Sequence, residues 1–154
     1  MLKGAIVTLD AMGCQRTIAK QITEQEADYV LAVKENQRRL YKSLQQTFSQ
    51  AETRQFKAMT YSQHTTVDGD HGRIETRHYT VLPLMYLHQF KCRWKGLQSL
   101  VQVEAQRAIK GGAISYEKRY YISSLPMNAE RIGHAIRAHW RIENTLPLEF
   151  RCCF

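Results

Sequence analysis

Two acidic residues stand where a carboxylate needs a partner. Asp10 follows the apolar, β-branched segment 5–9 (AIVTL), and Glu143 shares the apolar face of the last predicted helix. An unpaired buried charge costs several kcal/mol, so each carboxylate requires a counter-charge or a metal ion. Two interpretations follow: salt bridges to arginines such as Arg137 or Arg141, or two carboxylates that meet across a sheet edge and hold a divalent metal.

A second group of charged residues lies in the segment 68–77 (DGDHGRIETR). If this segment is a strand, Arg73, Glu75 and Arg77 project from the same face, because side chains alternate along a strand. Two arginines around one carboxylate form either a solvated row of charges or an edge that binds phosphate. The glycines just before them would let the backbone approach a phosphate closely.

The elements that position Asp10 are predicted from the hydrophobic pattern of the first fifty residues. Residues 5–9 and 28–34 are nearly continuous apolar runs, typical of strands covered on both faces. Apolar residues at helical spacing predict a helix over 15–26 and another from Asn36 onward. The order β-α-β-α indicates an α/β sheet, and ligands bind such sheets at the carboxyl ends of the strands.

The middle of the chain has a different pattern, rich in Thr, Val, Ile and Tyr with partial alternation. It predicts antiparallel strands over 76–82, 97–109 and 113–124, with Gly111 and Gly112 forming the turn between the last two. We therefore predict a β-rich insertion between two α/β parts.

A final helix is predicted after Pro126. Asn128 is suited to cap its amino end, and one face carries Ile132, Ile136 and Glu143, together with His139 and Trp140. We therefore divide the chain into four parts. Residues 1–50 form an α/β part with Asp10, and residues 51–126 form a β-rich insertion. Residues 127–146 form the helix with Glu143, and residues 147–154 form a tail.

Bulk composition narrows the class of protein. The chain has 154 residues, of which 44% are hydrophobic and 23% charged, as in ordinary globular proteins. No apolar run approaches the ~20 residues that cross a bilayer, and the amino-terminal residues do not form a signal peptide. We expect a cytoplasmic protein without a membrane partner. The net charge of +8 favours a polyanionic partner such as nucleic acid, although a basic protein with no such partner has the same composition.

The cysteines and histidines do not indicate a zinc site or a disulfide framework. The four cysteines include no C-x-x-C pair. His64, His71 and His78 recur every seven residues, but their surroundings are strand-like, so they would not share a helical face. We expect no structural zinc.

Five motifs in fixed order resemble the catalytic domain of ISAs-type insertion-sequence transposases, the group that includes the H-repeat-associated proteins. The resemblance extends from about residue 3 to residue 146. The motifs are IVTLDAMGCQ, DYVLAVKENQ, DHGRIETR, RYYISSL and IRAHWRIEN.

The resemblance implies a fold, an activity and site residues. It implies an RNase H-like mixed sheet with flanking helices, interrupted by a β-rich insertion. Three acids of the family bind two metal ions, most simply magnesium, for DNA cleavage and strand transfer. Asp10 matches the second acid and Glu143 the third, whereas the first lies on an earlier strand in the family. We therefore interpret this sequence as an incomplete, catalytically inactive copy, or as a DNA-binding fragment of the same ancestry.

The resemblance also implies the partners. DNA, as transposon ends and target, is the expected substrate in a bacterial cytoplasm, and self-association on DNA is left open. Lys34, Arg73 and Arg77 are our candidates for contacts with backbone phosphates.

The last eight residues, 147–154 (PLEFRCCF), depart from the family pattern. One back-translation of these residues, with codons chosen to fit the family, is CCA CTG GAG TTT AGA TGT TGT TTT. Read one base later, these codons give His-Trp-Ser-Leu-Asp-Val-Val, which matches the family's His-Trp-x-Leu-Asp-Val. We therefore predict that this tail is family sequence read out of frame. Pro147 would also end the helix that carries Glu143.

Overall fold

The computed structural model describes residues 2–145, and of residues 140–145 it describes the backbone only. The helices and strands are β1 (Ile6–Leu9), α1 (Arg16–Glu24), β2 (Asp28–Val33), α2 (Arg38–Thr53), β3 (Ser62–Asp70), β4 (Arg73–Pro83), β5 (Ser99–Ile109), β6 (Ile114–Ser123) and α3 (Ala129–Thr145). Short 3-10 turns lie at Ala11–Gly13, Glu35–Gln37 and Leu84–Phe90. The predicted tail, residues 147–154, lies outside the described residues.

The predicted β-α-β-α order of the first fifty residues is confirmed. β1 and β2 pair in parallel, with Leu9 opposite Leu31, and α1 connects them. Both faces of β1 are covered as expected, because Val7 and Leu9 pack into one core and Ile6 into the other. The residues of β1 are nevertheless only half-buried, since β1 is an edge strand of the sheet.

A single mixed sheet of six strands contains both the parallel pair and the β-rich middle of the chain. Its strand order is β1-β2-β6-β5-β4-β3. The connection between the two parts is the antiparallel pairing of β2 with β6, in which Val33 lies opposite Tyr120. This pairing brings the middle of β6 to the carboxyl end of β2.

The predicted antiparallel strands of the middle are present, but their extent differs. β4 begins at Arg73 rather than residue 76, and β3 is an additional strand that the sequence analysis did not bound. β3 and β4 form a hairpin through His71 and Gly72, both with positive φ. Turns of this kind match the right-handed twist of the strands. The predicted turn between β5 and β6 is confirmed, with Gly111 at φ +76°.

Helices cover both faces of the sheet. On one face, α1, α2 and the segment after β4 bury a core that includes Leu31, Leu44, Phe48, Trp94 and Ile122. On the other face, α3 buries Ile132 and Ile136 against Tyr79, Val101 and Tyr121. Within residues 2–145, no helix is long and apolar enough to cross a membrane.

Helix α3 begins as predicted and is held along the sheet. The Asn128 side chain accepts a hydrogen bond from Arg131 N at 3.1 Å, which caps the helix. Arg137 forms an ion pair with Asp68 of β3. α3 contacts both edge strands, β1 and β3, and the sheet curls around it. The helix that carries Glu143 therefore packs against the strand that leads to Asp10.

The outer halves of β3, β4, β5 and β6 form the more exposed end of the sheet, which we call the arm. Side chains at this end are mostly exposed, including the apolar residues Val67, Ile74, Ile114 and Tyr116. The strand register puts these four residues on the same face of the sheet.

Candidate active site

Asp10 lies at the carboxyl end of β1, in a turn that fixes its carboxylate. Its Oδ1 accepts hydrogen bonds from Met12 N at 3.1 Å and from Gly13 N at 3.4 Å. Both bonds go to Oδ1, so Oδ2 is the oxygen that can turn toward a metal ion. Carboxylate oxygens are the ligands that magnesium prefers.

Gly13 allows this turn to fold back onto β1. A Cβ atom on Gly13 would lie 2.8 Å from the Cβ of Leu9, closer than side-chain atoms approach each other. Any larger residue would push the turn, and Asp10 with it, away from the strand.

The loop after β2 reaches the same turn. Asn36 Nδ2 donates a hydrogen bond to the carbonyl of Ala11, and Gln37 Nε2 donates to the carbonyl of Cys14 at 2.9 Å. The parallel pairing of β1 and β2 places both loops at one edge of the sheet. The edge predicted from the sequence is thus formed by the polar residues that follow the two strands.

Beside this turn lies an open groove of about 550 Å³, lined by Met12, Lys34, Asn36, Tyr41, Lys118 and Arg119, among others. An adjoining groove adds Arg38 and Lys42 from one face of α2. We call the combined surface the basic groove. Five cationic side chains line it, against the carboxylates Glu35 and Glu117. Lys118 also lies 3.3 Å from Glu52.

Of the predicted metal ligands, Asp10 is described and the side chain of Glu143 lies outside the described part of the chain. The backbone of α3 is described through Thr145 and contacts β1, so the two elements that carry the acids are neighbours. Among the side chains of residues 2–139, no group of three or more His, Cys, Asp and Glu could hold a metal ion. The Asp10 carboxylate is a suitable ligand for a divalent metal ion, and a complete metal site requires further ligands.

The predicted phosphate-binding residues lie in two places. Lys34 is exposed and lines the basic groove. Arg73 is exposed at the tip of the arm, whereas the side chain of Arg77 is only 12% exposed. Glu75 lies between two arginines, with Arg77 Nη2 at 2.7 Å and Arg107 Nε at 3.4 Å from its Oε1. The alternation of Arg73, Glu75 and Arg77 along one strand is as predicted.

Arg73 and Arg77 are expected to respond differently to substitution. Arg77→Ala should lower the free energy of unfolding by about 1–3 kcal/mol, because partly buried Glu75 loses a charge-assisted hydrogen bond. Arg73→Ala should change the free energy of unfolding by less than about 0.5 kcal/mol. It should reduce the slope of log K for DNA binding against log salt concentration by about one unit. Urea unfolding and DNA titrations across salt measure the two effects. An unchanged slope in Arg73→Ala would remove the arm tip from the DNA contacts.

Several residues of this site were not predicted from the sequence. Arg38 and Lys42 are four residues apart on α2, a spacing that indicates one helical face. Lys118 and Arg119 gave no such signal, because only the β2–β6 pairing brings them to the groove. Asn36 and Gln37 belong to the motif DYVLAVKENQ, but their hydrogen bonds to the Asp10 turn form only because the two loops are adjacent in the fold.

Comparison with known proteins finds a family and relatives with similar sequences. The family described as a transposase DDE domain matches residues 1–146. The chain is 40% identical over 152 residues to YncI of Escherichia coli O157:H7, which is named as a candidate transposase. It is 39% identical over 153 residues to YhhI of Escherichia coli K12, named as an H repeat-associated candidate transposase. The family match ends at the residue before the predicted out-of-frame tail.

Each of these two alignments covers 94% of this chain. The chain spans only 37% and 39% of the lengths of these relatives. No solved structure matches the chain.

Proposed function

This chain belongs to the transposase DDE domain family, and we propose that it is a catalytic segment for the cleavage and transfer of DNA strands during insertion-sequence transposition. The observation that carries the proposal is the position of Asp10 at the edge of the sheet, in a turn that the loop after β2 contacts and that lies beside the basic groove. We place the protein in the bacterial cytoplasm on DNA, with self-association there left open.

We assign the fold to the RNase H-like class. The parallel pair β1–β2, with α1 on one face of the sheet and α3 on the other, supports this assignment. The β-rich part, predicted over residues 51–126, extends the same sheet from β6 outward.

Asp10 and Glu143 are the proposed metal ligands, in combination with the first acid of the family. Two magnesium ions held by these acids would supply activation of the attacking oxygen and charge stabilisation of the leaving oxygen. In this scheme Asp10 offers Oδ2 while its Oδ1 remains bonded to the Met12 and Gly13 amides. The contact of α3 with β1 supports the approach of Glu143.

The basic groove is the proposed path of the DNA backbone. Lys34, Arg38 and Lys42 follow one another along its wall, and Lys118 approaches from β6. Lysine and arginine side chains position a strand by contacting phosphates without reading its sequence. The groove adjoins Met12, two residues from Asp10, so a strand in it would pass close to the carboxylate.

Removing three cations from the groove tests this path. The triple variant Lys34→Ala, Arg38→Ala and Lys42→Ala is expected to flatten the dependence of log K on log salt by about three units, roughly one for each lost contact. Fluorescence anisotropy with a labelled duplex at several salt concentrations measures the slope.

The matched control is the triple variant Lys57→Ala, Lys91→Ala and Arg93→Ala. It removes the same charge from exposed positions outside the groove. Its slope should stay near that of the parent chain. Equal slopes in the two triple variants would show that DNA binding depends only on the net charge of the protein, which would contradict a defined groove.

A second candidate function is a non-catalytic DNA-binding fragment of the same ancestry. One observation favours it: the cationic side chains of the basic groove all belong to described residues, whereas the metal site needs ligands beyond the described side chains. DNA binding without magnesium-dependent cleavage, by a transposase that contains this domain, distinguishes this candidate from the catalytic one.

A further inference from the structure

Three side-chain amides stabilise the turn that carries Asp10. Gln15 Nε2 donates to the carbonyl of Met12 at 3.3 Å from within the same segment. The other two amides belong to Asn36 and Gln37, which reach the turn from the loop after β2. The carbonyls of Ala11, Met12 and Cys14 thus each accept a hydrogen bond from a side chain.

Asn36 and Gln37 bond to the two ends of the turn. The Ala11 carbonyl, one residue after Asp10, accepts the hydrogen bond from Asn36. The Cys14 carbonyl, at the end of the turn, accepts the hydrogen bond from Gln37. Between them lie Met12 and Gly13, whose backbone amides hold Oδ1 of Asp10. A shift of either end therefore changes the direction of the Asp10 carboxylate.

Apart from these hydrogen bonds, the side chains of Asn36 and Gln37 have limited structural roles. Asn36 is exposed and Gln37 half-buried, and neither belongs to the apolar core. Gln37 precedes α2 without capping it through its side chain. Losing these amides should therefore leave the helix and the core in place.

We propose that Asn36 and Gln37 are positioning residues, which hold the Asp10 carboxylate in the direction that a divalent metal requires. The inference rests on the proposed function, in which Asp10 is a metal ligand. Groups that orient a metal ligand from outside the coordination shell commonly change metal affinity by roughly 10-fold to 100-fold. Because these amides act through the backbone of the turn, we expect about 10-fold for the pair.

Manganese and the Met12 methyl group provide the test. Met12 is 80% exposed and two residues from Asp10, so a paramagnetic ion bound at Asp10 should broaden its ¹³C-methyl signal. Met85, 65% exposed on the segment after β4, serves as the reference in the same sample. As manganese is added, the Met12 signal broadens in proportion to the manganese concentration at first. In the Asn36→Ala, Gln37→Ala double variant, the slope of this initial increase should be about 10-fold lower than in the parent chain.

Two further variants complete the manganese experiment. Asp10→Asn should abolish the difference between Met12 and Met85. The matched control Gln46→Ala, Gln50→Ala removes two exposed amides from α2 outside the site and should behave as the parent chain. Single substitutions at Asn36 and Gln37 should each give a partial loss.

Cys14 gives a readout of the turn that needs no metal. Burial raises the pKa of the Cys14 thiol to about 12, so alkylation in the native state should be slow. Asn36→Ala, Gln37→Ala should speed alkylation of Cys14, measured by peptide mass spectrometry, while the melting temperature stays within a few degrees. A double variant that unfolds would contradict the limited structural role given to these amides.

The outcomes separate this inference from the proposed function. Asp10-dependent broadening that is equal in the parent chain and the double variant would overturn the positioning role and leave the metal site intact. Broadening that is absent, or that persists in Asp10→Asn, would overturn the metal site and this inference with it.

Discussion

Changing Asp10 to asparagine is expected to lower magnesium-dependent DNA cleavage by about 10³-fold or more in a transposase that contains this domain. A metal ligand contributes several kcal/mol of charge stabilisation in the transition state, and each ~1.4 kcal/mol changes the rate tenfold. Asparagine keeps the shape of the side chain and can still accept the Met12 and Gly13 amides, so the loss measures charge rather than folding. Nicking of an end-labelled duplex gives the rate.

Asp70 provides the matched control. Its side chain is 81% exposed at the hairpin of the arm, away from the basic groove. Asp70→Asn removes the same charge and should leave the cleavage rate within about twofold. If the two variants lose activity equally, Asp10 has no special role and the proposed metal site is wrong.

The same assay tests whether residues 1–154 are sufficient for cleavage. We propose Asp10 and Glu143 as the second and third acids of the family, whose first acid lies on a preceding strand. We expect no cleavage by the present chain alone. Two additions should together recover cleavage. One is the strand with the first acid, which can pair with the exposed edge of β1. The other is the family's own sequence in place of residues 147–154. Recovery with either addition alone would contradict this prediction, as would cleavage by the chain alone that Asp10→Ala abolishes.

Replacing Ile132 by alanine is expected to lower the free energy of unfolding by about 2–5 kcal/mol. Ile132 is fully buried where α3 packs on the sheet, in one cluster with Tyr79, Val101 and Ile136. Alanine would leave a cavity there, because the curled sheet contacts α3 from several strands and restricts its movement. Urea unfolding followed by circular dichroism measures the change.

Ile114→Ala is the control, because it makes the same chemical change at a site that is 51% exposed on the arm. Its effect should stay within about 0.5 kcal/mol. Similar losses at both positions would mean that α3 is not anchored by its apolar face.

Local patterns in the sequence determined the elements near Asp10. The two apolar runs predicted β1 and β2, the helical spacing predicted α1 and α2, and Asn128 marked the start of α3. These features depend on side-chain periodicity and capping within a few residues, which the sequence displays directly. The five ordered motifs identified the family and the roles proposed for Asp10 and Glu143, and the family match confirms the first of these.

The tertiary structure decided which of these elements share an edge and what surrounds the carboxylate. The pairing of β2 with β6 brings Lys118 to the groove beside Lys34, although the two are far apart in sequence. Arg77, which the sequence suggested as a phosphate contact, lies beside Glu75 and is largely buried. Alternation specifies a face of a strand but not its partner or register, because pairing depends on residues distant in the chain. For the same reason, only the folded chain shows that Asn36 and Gln37 reach the turn that holds Asp10.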